Sequence, residues 1–343
     1  MFSRLSQVAR HLFRPMPNYG HTSAAVSSVS KRNVSDYRYS SLDASERQKK
    51  SIVTGACLII GNEILNGKTK EANSHYLAKW CFFLGISLQR IDIIPDVEDD
   101  IIEAVRRLSH NYDIVVTSGG IGPTHDDITY ESIAKAFHLP LVLHEEAYSL
   151  MKKKTAEHKD PVRASFNFGV PSKELDGKKK MIMLPQDSNR PLEDQAILAC
   201  RDRYWVPVSV VNGNVYILPG IPDLFKHLLN GLTRHIKPRV QSNGKIRVTI
   251  KTLQPESKMA DYLTGLAKRM APKDIDVGSY PKFQIENTVV LVGENRAELE
   301  AVIPEILENL EGTLVSIEMP ENPDVGEKKD RAPDGEESRE SER

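Results

Sequence analysis

Short apolar runs alternate with amphipathic stretches in the first half of the chain, and this alternation predicts successive strands and helices. The predicted strands are residues 51–60, 87–94 and 112–117. The predicted helices, in which apolar side chains recur at helical spacing, are residues 73–84, 97–110 and 129–137. Because the elements alternate with short links, we expect an α/β fold with a doubly wound, mostly parallel sheet and helices on both of its faces.

A polar segment with four prolines, residues 152–203, interrupts this pattern, and we expect insertions and poor local order there. A hairpin is predicted next, because Asn212-Gly213 tolerates positive φ and separates the apolar runs 206–211 and 215–218. Pro219-Gly220-Ile221-Pro222 then ends the second run before a helix that continues to about residue 234. This break either brings backbone groups to a ligand or only makes a sharp turn.

The remaining periodicity predicts a smaller second unit with the order β-α-β-β-α-β, which is that of a ferredoxin-like α+β domain. Its predicted strands are residues 246–253, 274–279, 285–292 and 314–317, and its predicted helices are residues 256–270 and 296–310. Sheets of this kind bind RNA through exposed aromatic side chains. The predicted strands have few of these, because Tyr280 and Phe283 fall in the connecting turn, so we expect no nucleic-acid binding.

The composition is that of a globular protein, with 40% hydrophobic and 27% charged residues and a net charge of −1. Its three cysteines are far apart in sequence, which argues against a zinc site or a disulfide framework. No apolar run reaches the roughly 20 residues of a membrane span. The length of 343 residues favours two domains with tails. We assign a leader (1–48), the α/β domain (49–238), the ferredoxin-like domain (244–319) and a disordered polar tail (320–343).

The first 35 residues are rich in arginine and serine and contain no acidic residue. Their apolar side chains fall on one helical face, at Phe2, Leu5, Val8, Leu12 and Phe13. This composition is typical of a mitochondrial targeting segment, so we expect the protein in the mitochondrial matrix. The alternative is an ordinary disordered tail on a cytoplasmic protein.

The strongest candidate for chemistry is the loop after the third predicted strand, which contains Gly119, Gly120 and Gly122. Glycines let backbone N–H groups approach an anion such as a phosphate closely. Asp126 and Asp127 follow directly, and paired carboxylates suit a divalent cation that neutralises the same anion. This segment therefore predicts a phosphate-bearing ligand with a metal ion.

Other acidic residues end the neighbouring strands. Gly61-Asn62-Glu63 follows the first strand and Asp96 follows the second. The carboxyl ends of parallel strands share one edge of a sheet, so these residues are expected to face one crevice together with the glycine loop.

Each candidate also has a purely structural interpretation. Asp96, Asp126 or Asp127 would then cap the helix that follows, and Asn73 would cap the helix that starts there. His125 fits an exposed loop position better than a phosphate-binding or proton-transfer role. The run Lys178-Lys179-Lys180 is expected to form a solvated turn.

Several motifs together resemble the molybdopterin-binding fold of MoaB/Mog type. The resemblance is closest to CinA proteins and to the N-terminal half of eukaryotic FAD synthases, and it covers about residues 51–320. The motifs are Gly61-x-Glu63-Ile64-Leu65-x-Gly67, Asn73, Gly85, Asp96, the block from Ser118 to Thr129, Pro219-Gly220-Ile221-Pro222 and Gly278-Ser279-Tyr280-Pro281.

That resemblance implies a nucleotide pyrophosphatase that uses a divalent metal and acts on FAD or ADP-ribose. It also implies that two aspartates are essential, and by motif position these are Asp96 and Asp127. The chain departs from the pattern at Asn62, where the family usually has aspartate. The Gly-Thr-Ala-Pro-Gly segment of CinA proteins has no counterpart, which favours the FAD synthase branch. The adenylyltransferase half of FAD synthases has no counterpart either, so we expect no FAD synthesis.

Our first hypothesis is a pyrophosphatase that requires Mg²⁺, Mn²⁺ or Co²⁺. Asp96, Asp127 and Glu63 would be catalytic, with Glu63 orienting the attacking water, and Asp126 with Asp127 would hold the metal. The alternatives are a protein that binds a flavin or pterin nucleotide without hydrolysing it, and a molybdopterin adenylyltransferase. Folds of this type often form dimers or trimers, so a homo-oligomer is expected. The ligand-binding candidates are Gly61, Asn62, Asn73, Ser118, Gly119, Gly120, Gly122, Thr124, Pro219 and Gly220.

Overall fold

The computed structural model describes residues 41–282 and 285–320. Between residues 41 and 240 the structure has eight strands: β1 (Thr54–Ile60), β2 (Ser87–Ile94), β3 (Ile114–Ser118), β4 (Leu141–Leu143), β5 (Met183–Pro185), β6 (Ala196–Ile197), β7 (Val208–Val211) and β8 (Val215–Leu218). Six of them form one sheet in the order β2-β1-β3-β8-β7-β6. The first four strands in this order are parallel, and β7 and β6 extend the sheet in antiparallel pairs. The predicted mostly parallel sheet is confirmed.

Helices cover both faces of this sheet. They are α1 (Ser41–Lys49), α2 (Asn62–Leu65), α3 (Asn73–Leu84), α4 (Glu98–Asn111), α5 (Thr129–Ala136), α6 (Glu145–Ala156), α7 (Pro161–Ala164), α8 (Lys173–Lys180) and α9 (Pro222–Ile236). One buried core joins α3 and α9 to the sheet, with Leu77 and Phe225 fully buried. A second core joins α4 and α5 to the opposite face through Ile101 and Ile133. The doubly wound α/β fold is therefore the one expected.

The predicted hairpin is formed by β7 and β8. Asn212 has φ of 52° and Gly213 has φ of 76°, as a tight turn between two antiparallel strands requires. A side chain on Gly213 would come within 2.0 Å of the carbonyl oxygen of Ala44 in α1, so glycine is needed at this position for packing as well.

The expectation of poor order over residues 152–203 was wrong. α8 is capped by Ser172, whose hydroxyl accepts the N–H of Leu175 at 3.1 Å, and the Leu175 side chain is buried. β5 pairs with β4, far away in sequence. The lysine run lies in the last turn of α8 and not in a solvated turn, and basic side chains are favourable at that end of a helix.

The predicted leader extended too far. Most of it lies outside the described residues, but α1 is helical and its Ala44 is fully buried. Arg47 of this helix donates to the carbonyl oxygen of Asn212 at 2.9 Å. Residues from Ser41 onward therefore belong to the folded protein.

The second sheet contains β9 (Ile246–Thr252), β10 (Asp276–Lys282), β11 (Glu286–Gly293) and β12 (Thr313–Glu318), in the order β10-β11-β9-β12. Neighbouring strands are antiparallel, and α10 (Glu256–Met270) and α11 (Arg296–Leu310) contribute to its buried core. This is the predicted ferredoxin-like arrangement. Tyr280 lies within β10 and not in a connecting turn, while Phe283 and the predicted polar tail from residue 321 lie outside the described residues. Among the helices described, none is long and apolar enough to cross a membrane.

Candidate functional site

The carboxyl ends of four neighbouring parallel strands meet at one edge of the first sheet. At this edge Ile60 of β1 pairs with Ile94 of β2, and Ser118 of β3 pairs with Leu218 of β8. The segments that follow these strands contain the residues singled out from the sequence: Gly61-Asn62-Glu63, Asp96, the loop Gly119–Gly122 and Pro219-Gly220. The fold thus brings the predicted candidates to one place.

The glycine loop is held in a shape that other residues would not fit. Gly119 and Gly120 have φ of 110° and 65°, and an added Cβ would lie 2.1 Å from the carbonyl oxygen of Ile60 and 2.2 Å from Thr129 Oγ1, respectively. Thr129 fixes the loop, because its hydroxyl donates to the carbonyl oxygen of Gly119 at 3.0 Å and its N–H donates to that of Gly120 at 2.9 Å.

The loop leaves three successive backbone donors available. Within the described part of the chain, the N–H groups of Gly120, Ile121 and Gly122 donate to no acceptor. Successive unpaired N–H groups in such a turn form an anion-binding concavity. The loop therefore has the donors that a phosphate group requires.

Asp96 connects the first-strand turn to the glycine loop. Its Oδ2 accepts the backbone N–H of Asn62 at 2.8 Å, and its Oδ1 lies 3.5 Å from the Cβ position of Gly120. Burial raises the pKa of this carboxyl, and the negative charges of Glu63, Asp126 and Asp127 raise it further, against the lowering effect of the Asn62 N–H. Asp96 does not cap α4, whose N-cap is Val97 without a side-chain hydrogen bond.

The two adjacent aspartates are bound to their own turn. Asp127 Oδ2 accepts the N–H of Thr124 at 2.9 Å, and Asp126 Oδ1 accepts its hydroxyl at 2.6 Å. The hydroxyl of Thr124 lowers the pKa of Asp126. Neither aspartate caps α5, whose N-cap Ile128 has no side-chain hydrogen bond. Lys180 Nζ donates to the carbonyl oxygen of Thr124 at 2.7 Å, so the end of α8 holds this turn from outside.

Asn73 lies beneath the site and not at a helix cap. Its side chain is buried, and its Nδ2 donates to Ser118 Oγ at 2.9 Å and to the carbonyl oxygen of Gly220 at 2.8 Å. Its Oδ1 accepts no hydrogen bond from the described residues. Asn73 thus joins the ends of β3 and β8, while the N-cap of α3 is Ala72.

A crevice of about 370 Å³ opens at this edge. Glu63, Asp127, the glycine loop and Pro219-Gly220 all line it, so the break before α9 faces the crevice. His125 is exposed and does not line it. The sequence interpretation missed several wall residues, namely Met181, Trp205, Val206 and Leu224. The only available signal was that Trp205 is one of two tryptophans and stands next to a polar segment.

The charges of the side chains that line the crevice decide whether a metal ion fits there. Two carboxylates, from Glu63 and Asp127, line it, and no lysine or arginine of the described residues does. A diphosphate beside these carboxylates needs a cation, and oxygen donors are those that Mg²⁺ and similar ions prefer. The described residues form no group of three or more acidic, histidine or cysteine side chains that could hold a metal ion. The donor set fits an ion held by one or two carboxylates together with phosphate oxygens.

The models of two known protein families match this chain. Residues 56–240, more than half of the chain, match the model described as the probable molybdopterin binding domain. Residues 246–318 match the model described as the middle domain of FAD synthase. The second range contains the second sheet, and the first contains the first sheet apart from Thr54 and Gly55 at the start of β1.

Individual relatives agree with these matches. The chain is 30% identical over 266 residues to a protein named "Probable FAD synthase" from Caenorhabditis elegans, and 29% identical to its counterpart in Caenorhabditis briggsae. Each alignment covers 76% of this chain, which spans about half the length of both relatives (51% and 50%). A solved structure of the protein CinA with unknown function from Thermoplasma acidophilum is 29% identical, covers 54% of this chain and 98% of that one, and has a TM-score of 0.42.

Proposed function

The chain belongs to the molybdopterin-binding domain family, and on this premise we propose that it is a metal-dependent nucleotide diphosphatase. The substrate would be FAD or a similar dinucleotide such as ADP-ribose. The observation that carries the proposal is the crevice itself, where three unpaired N–H groups stand beside Glu63 and Asp127. The FAD synthase middle domain and the relatives named FAD synthase favour a flavin nucleotide as the substrate.

Different residues of the site would bind the diphosphate and accept a proton. The N–H groups of Gly120, Ile121 and Gly122 would bind one phosphate of the diphosphate and stabilise the charge that develops on it. Glu63 would accept a proton from the attacking water, whose oxygen forms a bond to one phosphorus while the bridging P–O bond breaks. From FAD, the products would be FMN and AMP.

Asp126 or Asp127, with Asp96, would hold the divalent cation together with phosphate oxygens of the substrate. The chemistry that such a cation supplies when bound is charge neutralisation at the diphosphate and a lower pKa for a bound water. Without it, the crevice would place carboxylates against an anion of the same sign.

One observation favours a second function, the binding of a flavin or pterin nucleotide without hydrolysis. Asn62 is exposed, and its side chain forms no hydrogen bond with the described residues, so it contributes an uncharged amide where a carboxylate could stand. With one negative charge fewer, the turn after β1 would hold a metal ion less tightly.

A turnover assay distinguishes the two functions. FAD and ADP-ribose are incubated with the full chain and Mg²⁺, Mn²⁺ or Co²⁺, and nucleoside monophosphate is measured. We expect product from at least one substrate, and its loss in Asp127→Asn without loss of folded protein. Tight nucleotide binding with no product under any of these metals would support the binding protein instead. Adenylyl transfer from ATP to molybdopterin would identify the third alternative.

A further inference from the structure

A groove of about 830 Å³, larger than the crevice, lies between α6, α7, α8 and the segment before β7. Its walls include five cationic side chains, from Lys154, Lys159, Arg163, Lys178 and Arg203, against two carboxylates, from Glu157 and Glu174. Aromatic rings of Phe166, Tyr204 and Trp205 line it as well. We call this cavity the basic groove. Its charge is opposite to that of the crevice.

Some of the cations have structural partners. Lys154 donates to the carbonyl oxygen of Asp202 at 2.8 Å, and Arg203 Nη1 lies 2.7 Å from His227 Nε2 on α9. Lys178 stands over the ring of Phe166 at 4.6 Å. Lys154 and Lys178 also pair with the groove's two carboxylates, at 3.4 Å from Glu157 and 3.6 Å from Glu174. Arg163 forms one long ion pair, 3.7 Å from Asp160, in which both side chains are exposed, and Lys159 has no ion-pair partner among the described residues. Lys159 and Arg163 are therefore the cations most available to a ligand.

Two segments join the basic groove to the crevice. Trp205 lines both cavities, with Tyr204 on the groove side and Val206 on the crevice side. α8 makes the second connection, because Lys178 lines the groove and Met181, just after the helix, lines the crevice. A ligand whose diphosphate occupies the crevice could therefore extend into the groove past Trp205.

α8 is also fixed to the glycine loop. The Cβ position of Gly177 lies 3.3 Å from Pro123, a close contact, and Lys180 binds the carbonyl oxygen of Thr124. The position of the groove wall is therefore set relative to the loop that would bind the diphosphate.

We propose that the basic groove binds the base-bearing end of a nucleotide that has a further phosphate beyond its diphosphate. This inference rests on the proposed function, because it assumes that the diphosphate lies in the crevice. Aromatic walls suit stacking of a purine or flavin ring. An uncharged base alone would leave the excess positive charge of the groove without a counter-charge. A phosphate on the ribose would form charge-assisted hydrogen bonds with Lys159 and Arg163. Among diphosphate-linked nucleotides, the groove would thus favour those with a phosphorylated ribose over FAD and ADP-ribose, which have no phosphate beyond the diphosphate.

The test compares two nucleotides that differ by one phosphate. The affinities of NADP⁺ and NAD⁺ for the full chain are measured by calorimetry at low salt with Mg²⁺, together with inorganic pyrophosphate as a probe of the crevice alone. We expect NADP⁺ to bind about tenfold more tightly than NAD⁺, and the preference to shrink as salt is added. The double variant Lys159→Ala/Arg163→Ala should lose the preference and keep its affinity for pyrophosphate.

Lys268→Ala, which removes an exposed lysine from α10, is the matched control and should keep the preference. Equal affinity of the native chain for both nucleotides, or a preference that survives in the double variant, would overturn the inference. Absence of binding by either nucleotide would overturn it too, and pyrophosphate binding then reports on the crevice separately. If both nucleotides bind with the expected preference and neither they nor FAD are hydrolysed, the proposed diphosphatase fails while this inference stands. A preference for an oligonucleotide over both would show that the groove binds nucleic acid instead.

Discussion

At the scale of single residues, Gly120 combines a constrained backbone shape with one of the N–H groups proposed to bind a phosphate. Gly120→Ala should lower the free energy of unfolding by about 1–3 kcal/mol, because alanine is strained at this positive φ and its Cβ would clash with Thr129 Oγ1. Pyrophosphate affinity should fall as well, since the loop must move to relieve the clash. Denaturant unfolding and calorimetry measure the two effects.

Gly265→Ala is the matched control for this substitution. It lies inside α10, and no atom stands within 4 Å of its Cβ position. Alanine is the better helix former, so this variant should be as stable as the native chain or more stable by up to about 1 kcal/mol. A Gly120→Ala variant with native stability and native pyrophosphate affinity would contradict the role given to the loop.

Replacing Asp96 should lower activity without lowering stability. Asp96→Asn keeps an oxygen that can accept the Asn62 N–H but removes the charge, so turnover should fall about 100-fold or more. A raised pKa means that the ionised carboxyl is less favourable in the folded than in the unfolded protein. The contribution of Asp96 to the free energy of unfolding is therefore lost as the pH rises through the raised pKa of its carboxyl. Asparagine does not ionise, so the Asp96→Asn variant avoids this loss. Its melting temperature at pH 8 should equal or exceed the native value.

The control is Asp99→Asn, which removes an exposed carboxylate from the first turn of α4. This variant should keep full turnover. If Asp96→Asn also keeps it, Asp96 is a structural residue only.

The site residues at the strand ends could be predicted from the sequence, whereas the residues of the opposite wall of the crevice could not. Asp96 and Glu63 follow apolar runs, and the rule that parallel strands share a carboxyl edge is enough to place them together. Met181 reaches the crevice because it links α8, which packs on Pro123, to β5, which pairs with β4, and Trp205 packs on the small core formed with α6. Such contacts join residues far apart in sequence, and local periodicity contains no information about them.

At the scale of secondary-structure elements, the start of α6 should be sensitive to pH. His144 is buried at its N-cap, and its Nδ1 accepts the N–H of Ala147 at 3.1 Å. Burial lowers the pKa of His144, more than the charges of Glu146 and Glu145 raise it. The neutral ring is therefore favoured in the folded state. Stability from this group is complete above the ordinary pKa of about 6.5 and is lost as pH falls towards the lowered pKa.

The expected loss is at most about 1.4 kcal/mol of unfolding free energy per pH unit below pH 6.5. His144→Asn isolates it, because asparagine also accepts a hydrogen bond at an N-cap but does not titrate in this range. Denaturant unfolding of both proteins between pH 5 and 8 measures the difference. Parallel stability curves for the two would contradict the assignment.

α1 illustrates why an element can be missed. Its sequence is mostly polar, so periodicity gave no reason to include it in the fold. Hydrogen bonds to the turn between β7 and β8 hold this helix in place. The backbones of helix and turn can approach closely because Ala44 and Gly213, which meet there, are both small. Elements that are stabilised by polar contacts and close packing of small residues leave little trace in hydrophobic patterns.

At the scale of the whole molecule, the two sheets have separate cores and the candidate site belongs to the first. Among the described residues, none beyond Leu224 lines the crevice or the basic groove. The ferredoxin-like part contacts the first part through Arg247, whose guanidinium lies 3.9 Å from the ring centre of Phe82 in α3. This order of two units could be predicted because each has its own complete periodic pattern.

A chain that ends at residue 243 should therefore bind pyrophosphate within about twofold of the native affinity. Its melting temperature should be lower, since Phe82 loses the cation that covers it, a contact worth about 0.5–1 kcal/mol at an exposed site. Arg247→Gln in the full chain removes this contact together with the 3.2 Å ion pair between Arg247 and Glu318 in β12, and it should reproduce the drop in part while β9 remains in place. Calorimetry and thermal unfolding of the three proteins check the prediction. Loss of pyrophosphate binding in the shortened chain, with its first sheet still folded, would mean that the ferredoxin-like part completes the site, and the crevice would no longer account for binding by itself.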